Sequence, residues 1–283
     1  MIKFGPSGCC EQFAQLGDTK TIQAAAWLKS LNLDCFEYSF GRGVQIKEDT
    51  ARAIGEEFSA CGIELSVHAP YFINLATVEE DKAENNHRYI FDSFAVLSAF
   101  GGKRCVIHPG SPLKAARSDA MGVLMRRLER VALLKEQYGY NDSYLCIETM
   151  GKVAQLGTLD EVIAMCSLHD TFIPCVDFGH LNARDCGIYH NKDDYKRTID
   201  TLIEGVGIDK CNMMHVHFSK IQYTSKGELR HLTFEDDVFG PPYEPLLEVL
   251  SDYKLSPYIV CESAGTQTAD ALTMKNYYYS YNN

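Results

Sequence analysis

Eight short runs rich in apolar and β-branched residues recur along the chain, each followed by a longer stretch with helical periodicity. The strand runs are Ile2–Phe4, Cys35–Ser39, Glu64–His68, Arg104–His108, Tyr144–Glu148, Ile173–Asp177, Met213–Phe218 and Tyr258–Glu262. Helical patterns fall near 19–31, 48–61, 80–100, 117–137, 158–168, 192–205, 242–252 and 267–279. Strict alternation makes the strands parallel and leaves two architectures, a closed barrel or an open doubly wound sheet. Runs such as Tyr258-Ile-Val-Cys261, apolar nearly throughout, suit strands covered on both faces. Eight units of roughly 35 residues use the whole chain. No Gly-rich dinucleotide loop follows the first strand, because Gly5-Pro-Ser-Gly8 is too short for one. The expected fold is therefore α/β, one (β/α)8 TIM barrel forming a single domain over 1–283. The longest loop-like segment, Lys220–Asp237, follows a strand and is expected to lie over the barrel mouth.

Charge narrows the function. Lys plus Arg number 27 against 38 Asp plus Glu, a formal net charge of −11. That balance speaks against a broad basic face for nucleic acid, so any such contact has to be local. Buried carboxylates serving as metal ligands would account for part of the excess. The eleven cysteines show no C-x-x-C spacing and mostly sit singly in apolar runs, as reduced core residues do, with Cys9-Cys10 read as a surface pair. The segment Met-Ile-Lys-Phe-Gly-Pro lacks a signal-peptide apolar region, and no stretch reaches the ~18 apolar residues of a membrane span. A monomer in the reducing cytoplasm, without membrane association, is the expectation.

Six strand runs in succession end on or contain a residue able to bind a metal: His68, His108, Glu148, Asp177, His215 and Glu262. Their spacings of 40, 40, 29, 38 and 47 residues are those of neighbouring βα units, so all six should meet at one mouth of the barrel. One histidine at a strand end is most often a hydrogen-bonded rim residue; six such residues in order are not explained that way. Three carboxylates pressed together would be driven to protonate unless cations were bound among them. Imidazoles and carboxylates together suit zinc, manganese or iron better than calcium. His180, His217 and the pair Glu228 and His231 lie close enough in sequence to join them.

The ordered segments His68-Ala-Pro-Tyr-Phe-Ile-Asn-Leu75, His108-Pro-Gly-Ser111, Glu148-Thr-Met-Gly-Lys152 with Gly157, Asp177-Phe-Gly-His180, and Met214-His215 with Ser219-Lys220 resemble the signature segments of endonuclease IV, the apurinic/apyrimidinic endonuclease family within the xylose-isomerase-like barrels. The resemblance implies a zinc-dependent DNA repair enzyme, with two to three zincs, that hydrolyses the phosphodiester 5′ to an abasic site. It places His68, His108 and Glu148 on a first zinc. Glu148 as a bridge, Asp177, His215 and Glu262 would hold a second, and His180 and His231 would belong to a third. Glu148 is accordingly the residue expected at the centre of catalysis. The family's Asp before Arg-His is replaced here by Leu229, which leaves Glu228, one residue earlier, or His217, where the family commonly has Asn, to complete the third site. His215-Val-His-Phe-Ser-Lys220 also lacks the family's Asn-Asp. Tyr71 and Phe72 match positions that push into DNA at the lesion, and Arg42, Arg184, Lys220 and Arg230 are candidate phosphate contacts.

Two other readings stay open. Glu148, Asp177, His215 and Glu262 also form the single-metal quartet of a sugar isomerase or epimerase, in which two carboxylates would move protons beside a carbonyl. A non-catalytic metal-binding barrel protein is the third.

Overall fold

A computed structural model describes residues 1–17 and 20–282. Eight parallel strands form one sheet: β1 (Lys3–Pro6), β2 (Cys35–Ser39), β3 (Glu64–His68), β4 (Arg104–Ile107), β5 (Tyr144–Glu148), β6 (Phe172–Asp177), β7 (His215–Phe218) and β10 (Tyr258–Cys261). Their order is β1-β10-β7-β6-β5-β4-β3-β2. The two ends of this sheet approach each other, with Ser7 bridging Glu37, Gly8 N–H donating to the Glu37 carbonyl at 2.9 Å and Asp34 N–H to that of Phe4 at 2.8 Å. The result is a nearly closed barrel wrapped by helices, the closed one of the two architectures that the alternation allows.

The helices follow their local signals. Thr158 and Glu161 cap Leu159–Cys166 reciprocally, the Thr158 hydroxyl accepting from Glu161 N–H at 3.2 Å. The helix expected from residue 19 begins at Thr21, and residues 18 and 19 lie outside the described residues. Three short helices were not expected, Glu11–Gln15, Phe178–Arg184 and Ile208–Asn212. Nor was the hairpin of β8 (Ile221–Thr224) and β9 (Gly227–His231), which occupies the stretch read as a long loop. Among the described residues no helix is long and apolar enough to cross a membrane.

Successive side chains of a strand point to opposite faces, so each strand feeds two cores. Outward residues such as Leu145, Ile147 and Val176 pack under the helices in one large apolar cluster. Inward residues Val106, Cys146, Ile173 and Cys175 form a separate small cluster with Tyr144. Beneath it, at the N-terminal end, the Arg104 guanidinium lies 4.0 Å over the Tyr258 ring and donates to the Met213 carbonyl at 2.6 Å. Above it the inward positions turn polar. Eight of the eleven cysteines are buried and all are free, as a reduced core requires; Cys9 and Cys186 are exposed and Cys61 is half-buried.

Closure at the β1–β2 seam depends on Gly5, where a Cβ would lie 1.8 Å from the Cys35 carbonyl oxygen. Both atoms belong to strand backbone, so neither can yield locally. Gly5→Ala is expected to cost at least about 3 kcal/mol of unfolding free energy in urea titrations, beyond ordinary overpacking. A loss under about 1 kcal/mol would show that the seam is looser than this.

Candidate metal centre

The C-terminal ends of β3 to β7 and β10 bring their polar residues around Glu148, which is almost fully buried at the end of β5. Its Oε2 lies 3.1 Å from His68 Nε2 and 3.0 Å from His108 Nε2, while Oε1 lies 3.2 Å from His217 Nδ1 and 3.3 Å from His180 Nδ1. One carboxylate thus faces four imidazoles. Donor atoms close enough to share a cation fall into three groups at the mouth: His68, His108 and Glu148; Glu148, Asp177, His217 and Glu262; and His180, Glu228 and His231. Glu148 belongs to two of them.

Asp177 does two things at the end of β6. Its Oδ1 accepts from His180 N–H at 2.7 Å and so caps the helix Phe178–Arg184. That cap swings the His180 ring back over the mouth, where Nδ1 sits 3.3 Å from the second carboxylate oxygen of Asp177. This oxygen is buried and has no hydrogen-bond donor. The third group depends on the β8–β9 hairpin, which is pinned to the loop after β5 by Glu228 N–H donating to the Gly151 carbonyl and Val153 N–H to that of Lys226, both at 3.1 Å. A Cβ on Gly227 would lie 2.1 Å from the Gly151 oxygen, and its φ of 88° is one that a side chain disfavours. Glycine there lets Glu228 come within 3.6 Å of His180 Nε2. His231 follows at 4.0 Å from Glu228, its Nδ1 at 2.8 Å from the Ser219 hydroxyl.

Neither histidine of β7 takes the place expected of it. His215 does not reach Glu148, Asp177 and Glu262; His217 takes that place, with Nδ1 3.6 Å from Glu262. Register aligns His217 with Asp177, whereas His215 is level with Cys175, two residues deeper in the barrel. There His215 Nε2 lies 3.1 Å from Oε2 of Glu37, a fully buried carboxylate that also faces His217 Nε2 at 3.1 Å. Sequence reasoning passed over Glu37, although a lone carboxylate inside the strand run Cys35-Phe-Glu-Tyr-Ser39 is the mark of an inward polar residue.

Two of the four candidate phosphate contacts are structural. The Arg184 guanidinium is nearly buried and donates to the carbonyls of Met150, Lys152, Val153 and Gln155 at 2.8 to 3.2 Å, which shapes the loop after β5. Lys220 Nζ donates to the Phe234 carbonyl at 2.9 Å and to that of Asp236. Arg42 and Arg230 are exposed, Arg230 donating to Gln222 Oε1 at 2.8 Å. The Tyr71 ring lies 4.6 Å from that of His68 and 5.4 Å from that of His108, and Phe72 packs edge-on to Tyr89. Both keep about half their surface in solvent. The mouth opens into a cleft of about 580 Å³ that Ser7, Ser39, Lys152, Gln155 and Gln267 also line.

Without a cation this cluster is balanced by protons. Burial opposes ionisation of Glu148, yet the charges of His108 and His217 and hydrogen bonds from His108 and His180 hold it well below the usual carboxylate range. Burial raises Asp177, with Glu262 and Glu148 adding to the shift. Burial would lower His180, but Asp177, Glu148 and Glu228 push it up to about 10. Divalent cations would take the place of such protons and satisfy the orphaned oxygen of Asp177. The residues present therefore fit a metal centre.

The family model described as Xylose isomerase-like TIM barrel matches residues 25–276, and the chain belongs to that family. An uncharacterized protein of Methanocaldococcus jannaschii is 32% identical over 277 residues, 98% of this chain and 97% of that one. A protein of Enterococcus faecalis named probable endonuclease 4 is 30% identical over 196 residues, 67% of this chain and 62% of its own length. Among solved structures, a D-tagatose 3-epimerase-like protein superposes with a TM-score of 0.73 at 20% identity, over 99% of this chain and 97% of that one. Endonuclease IV from Thermus thermophilus does so with a TM-score of 0.65 at 17% identity, over 98% of each. At these identities the solved structures share the fold. The resemblance to endonuclease IV read from the motifs recurs among the sequence relatives.

Two outcomes follow from this geometry. Arg184→Ala should lower the unfolding free energy by about 3 kcal/mol, since four carbonyls lose a charged donor, while Arg230→Ala stays within about 0.5 kcal/mol in the same urea titration. In protein stripped of metal, His180 has its folded pKa above the unfolded one, so its contribution is complete below about pH 6.5 and is lost towards about pH 10. The stability gap between wild type and His180→Gln should then narrow as pH rises through that window. A gap that widens would reverse the assignment.

Proposed function

We propose that this protein is a zinc-dependent phosphodiesterase of the endonuclease IV type, acting on DNA at abasic sites. The observation that supports this reading is the third donor group, His180, Glu228 and His231, joined to the other two around Glu148. A single-metal isomerase site has no use for it. Five imidazoles with four carboxylates are a donor set that favours zinc over magnesium or calcium. Zinc bound there would supply a nucleophile at neutral pH and neutralise charge on the phosphodiester.

The chain's own residues supply the rest. Glu148, set at the end of β5, presents one oxygen to each side of the centre. Asp177 keeps His180 at the mouth through the helix cap. Tyr71 and Phe72 stand half-exposed, Tyr71 beside the His68 and His108 rings and Phe72 edge-on to Tyr89, where an aromatic pair can fill the gap left by a missing base. Lys152, exposed on the cleft, and the exposed Arg42 and Arg230 are cations that could meet phosphates in a chain of net charge −11.

One observation favours a second reading, a sugar isomerase or epimerase. Glu148, Asp177, His217 and Glu262 make a complete single-metal quartet, and the cleft above is lined by hydroxyl and amide groups that suit a small polyol. Metal analysis of the purified protein combined with a nicking assay separates the two. Two to three zincs per chain and cleavage of a duplex carrying a tetrahydrofuran abasic analogue are expected, with Glu148→Gln reducing cleavage by at least about 100-fold. One manganese or magnesium per chain, with turnover of a ketose and none of the duplex, would establish the second reading instead.

A further inference from the structure

One buried polar group beneath the mouth belongs to none of the three donor groups there. Glu37 is fully buried on β2, and the Ser66 hydroxyl donates to its Oε2 at 3.1 Å. The same Oε2 is 3.1 Å from His215 Nε2, and Oε1 is 3.1 Å from His217 Nε2. Neither approach makes a hydrogen bond, so Glu37 Oε1 and the two Nε2 atoms are buried without a partner. Burying a carboxylate and two imidazoles in such an arrangement is costly, and an apolar trio would fill the space more cheaply. The cost points to a function at the next layer up. Glu37 reaches that layer through His217, whose other ring nitrogen, Nδ1, is 3.2 Å from Glu148 and 3.6 Å from Glu262.

We propose that Glu37 is a positioning residue of the metal centre: its carboxylate, 3.1 Å beneath Nε2 of His217, favours the tautomer that keeps its proton on Nε2 and so leaves the unprotonated Nδ1 as the ligand atom facing Glu148, Asp177 and Glu262. A neutral imidazole carries its proton on one nitrogen only, and the acceptor beyond the ring decides which. With a proton on Nδ1, His217 would present an N–H to the cation. The Ser66 hydroxyl holds Glu37 in turn, and His215 lies against the same carboxylate at 3.1 Å, two residues below the ligands. The inference rests on the reading that His217 and the three carboxylates hold a metal.

Histidine-labelled protein loaded with zinc tests it by long-range 1H–15N correlation, with the His217 signals assigned by their loss in a His217→Gln sample. The expected spectrum has His217 protonated on Nε2 and zinc-bound through Nδ1. Glu37→Gln, which keeps the size but not the charge or both acceptor oxygens, should weaken zinc binding about 10- to 100-fold in chelator competition. The thermal midpoint of its metal-free form should change little. Zinc on Nε2 of His217, or on both nitrogens with a cation seated at Glu37, overturns the proposal, as does unchanged affinity in a folded Glu37→Gln. Should that variant fail to fold, the wild-type spectrum decides alone. A wild-type protein that takes up no metal overturns the metal-centre reading itself, a result distinct from zinc bound through the wrong nitrogen.

Discussion

Glu148 is the group on which the rest of the site turns. A carboxylate buried at the end of a central parallel strand is untenable without compensation, and here four imidazoles from β3, β4, β7 and the helix after β6 converge on its two oxygens. That convergence needs the barrel to close, because the contributing strands are separated by long stretches of chain. Closure in turn rests on a seam where a glycine is the largest residue that fits. The local chemistry and the global topology are therefore one constraint: loosening the seam would pull apart a cluster whose members are tolerable in the core only together.

The third donor group is built differently from the others. His68, His108, Glu148, Asp177, His217 and Glu262 stand on or next to barrel strands, the most rigid part of the molecule, while Glu228 and His231 ride on a hairpin laid over the mouth. Two carbonyl contacts to the loop after β5 and the bare backbone of Gly227 fix that hairpin in register. Leu229, standing where the family pattern has an acid, points to solvent. The β8–β9 pairing skips Leu229, with Gln222 opposite Arg230 and Tyr223 opposite Glu228, and this bulge breaks the alternation so that Glu228 and His231, three residues apart, reach the same group.

The same layering explains why the interior is not uniformly apolar. From the N-terminal end the barrel passes through an arginine stacked on tyrosine, a small cluster of valine, isoleucine and cysteine, the Glu37 floor, and the ligand layer. The polar layers are not fully satisfied from within, since Glu37 Oε1, Asp177 Oδ2, both ring nitrogens of His215 and His217 Nε2 are buried without a hydrogen-bond partner.

Much of this was legible in the residues alone. The parallel barrel follows from eight apolar runs in strict alternation with helical patterns, and the meeting of His68, His108, Glu148, Asp177 and Glu262 follows from strand ends spaced one βα unit apart. Such inferences need only chain periodicity. Three features did not follow. His215 and His217 share the inward face of β7, and a period of two cannot say which is level with Asp177; the stagger between tilted strands selects His217. Arg184 and Lys220 read as free cations until the fold shows the carbonyls they hold. Glu37 lies 111 residues from Glu148 in sequence, and its partnership with β7 exists only across the closed barrel. Sequence by itself determined the architecture and the residue types at its mouth, because both are local patterns repeated along the chain. The depth of each side chain, and so which histidine faces the carboxylates and which supports from below, was decided by tertiary structure, because depth depends on how far each strand slides past its neighbour when the barrel closes.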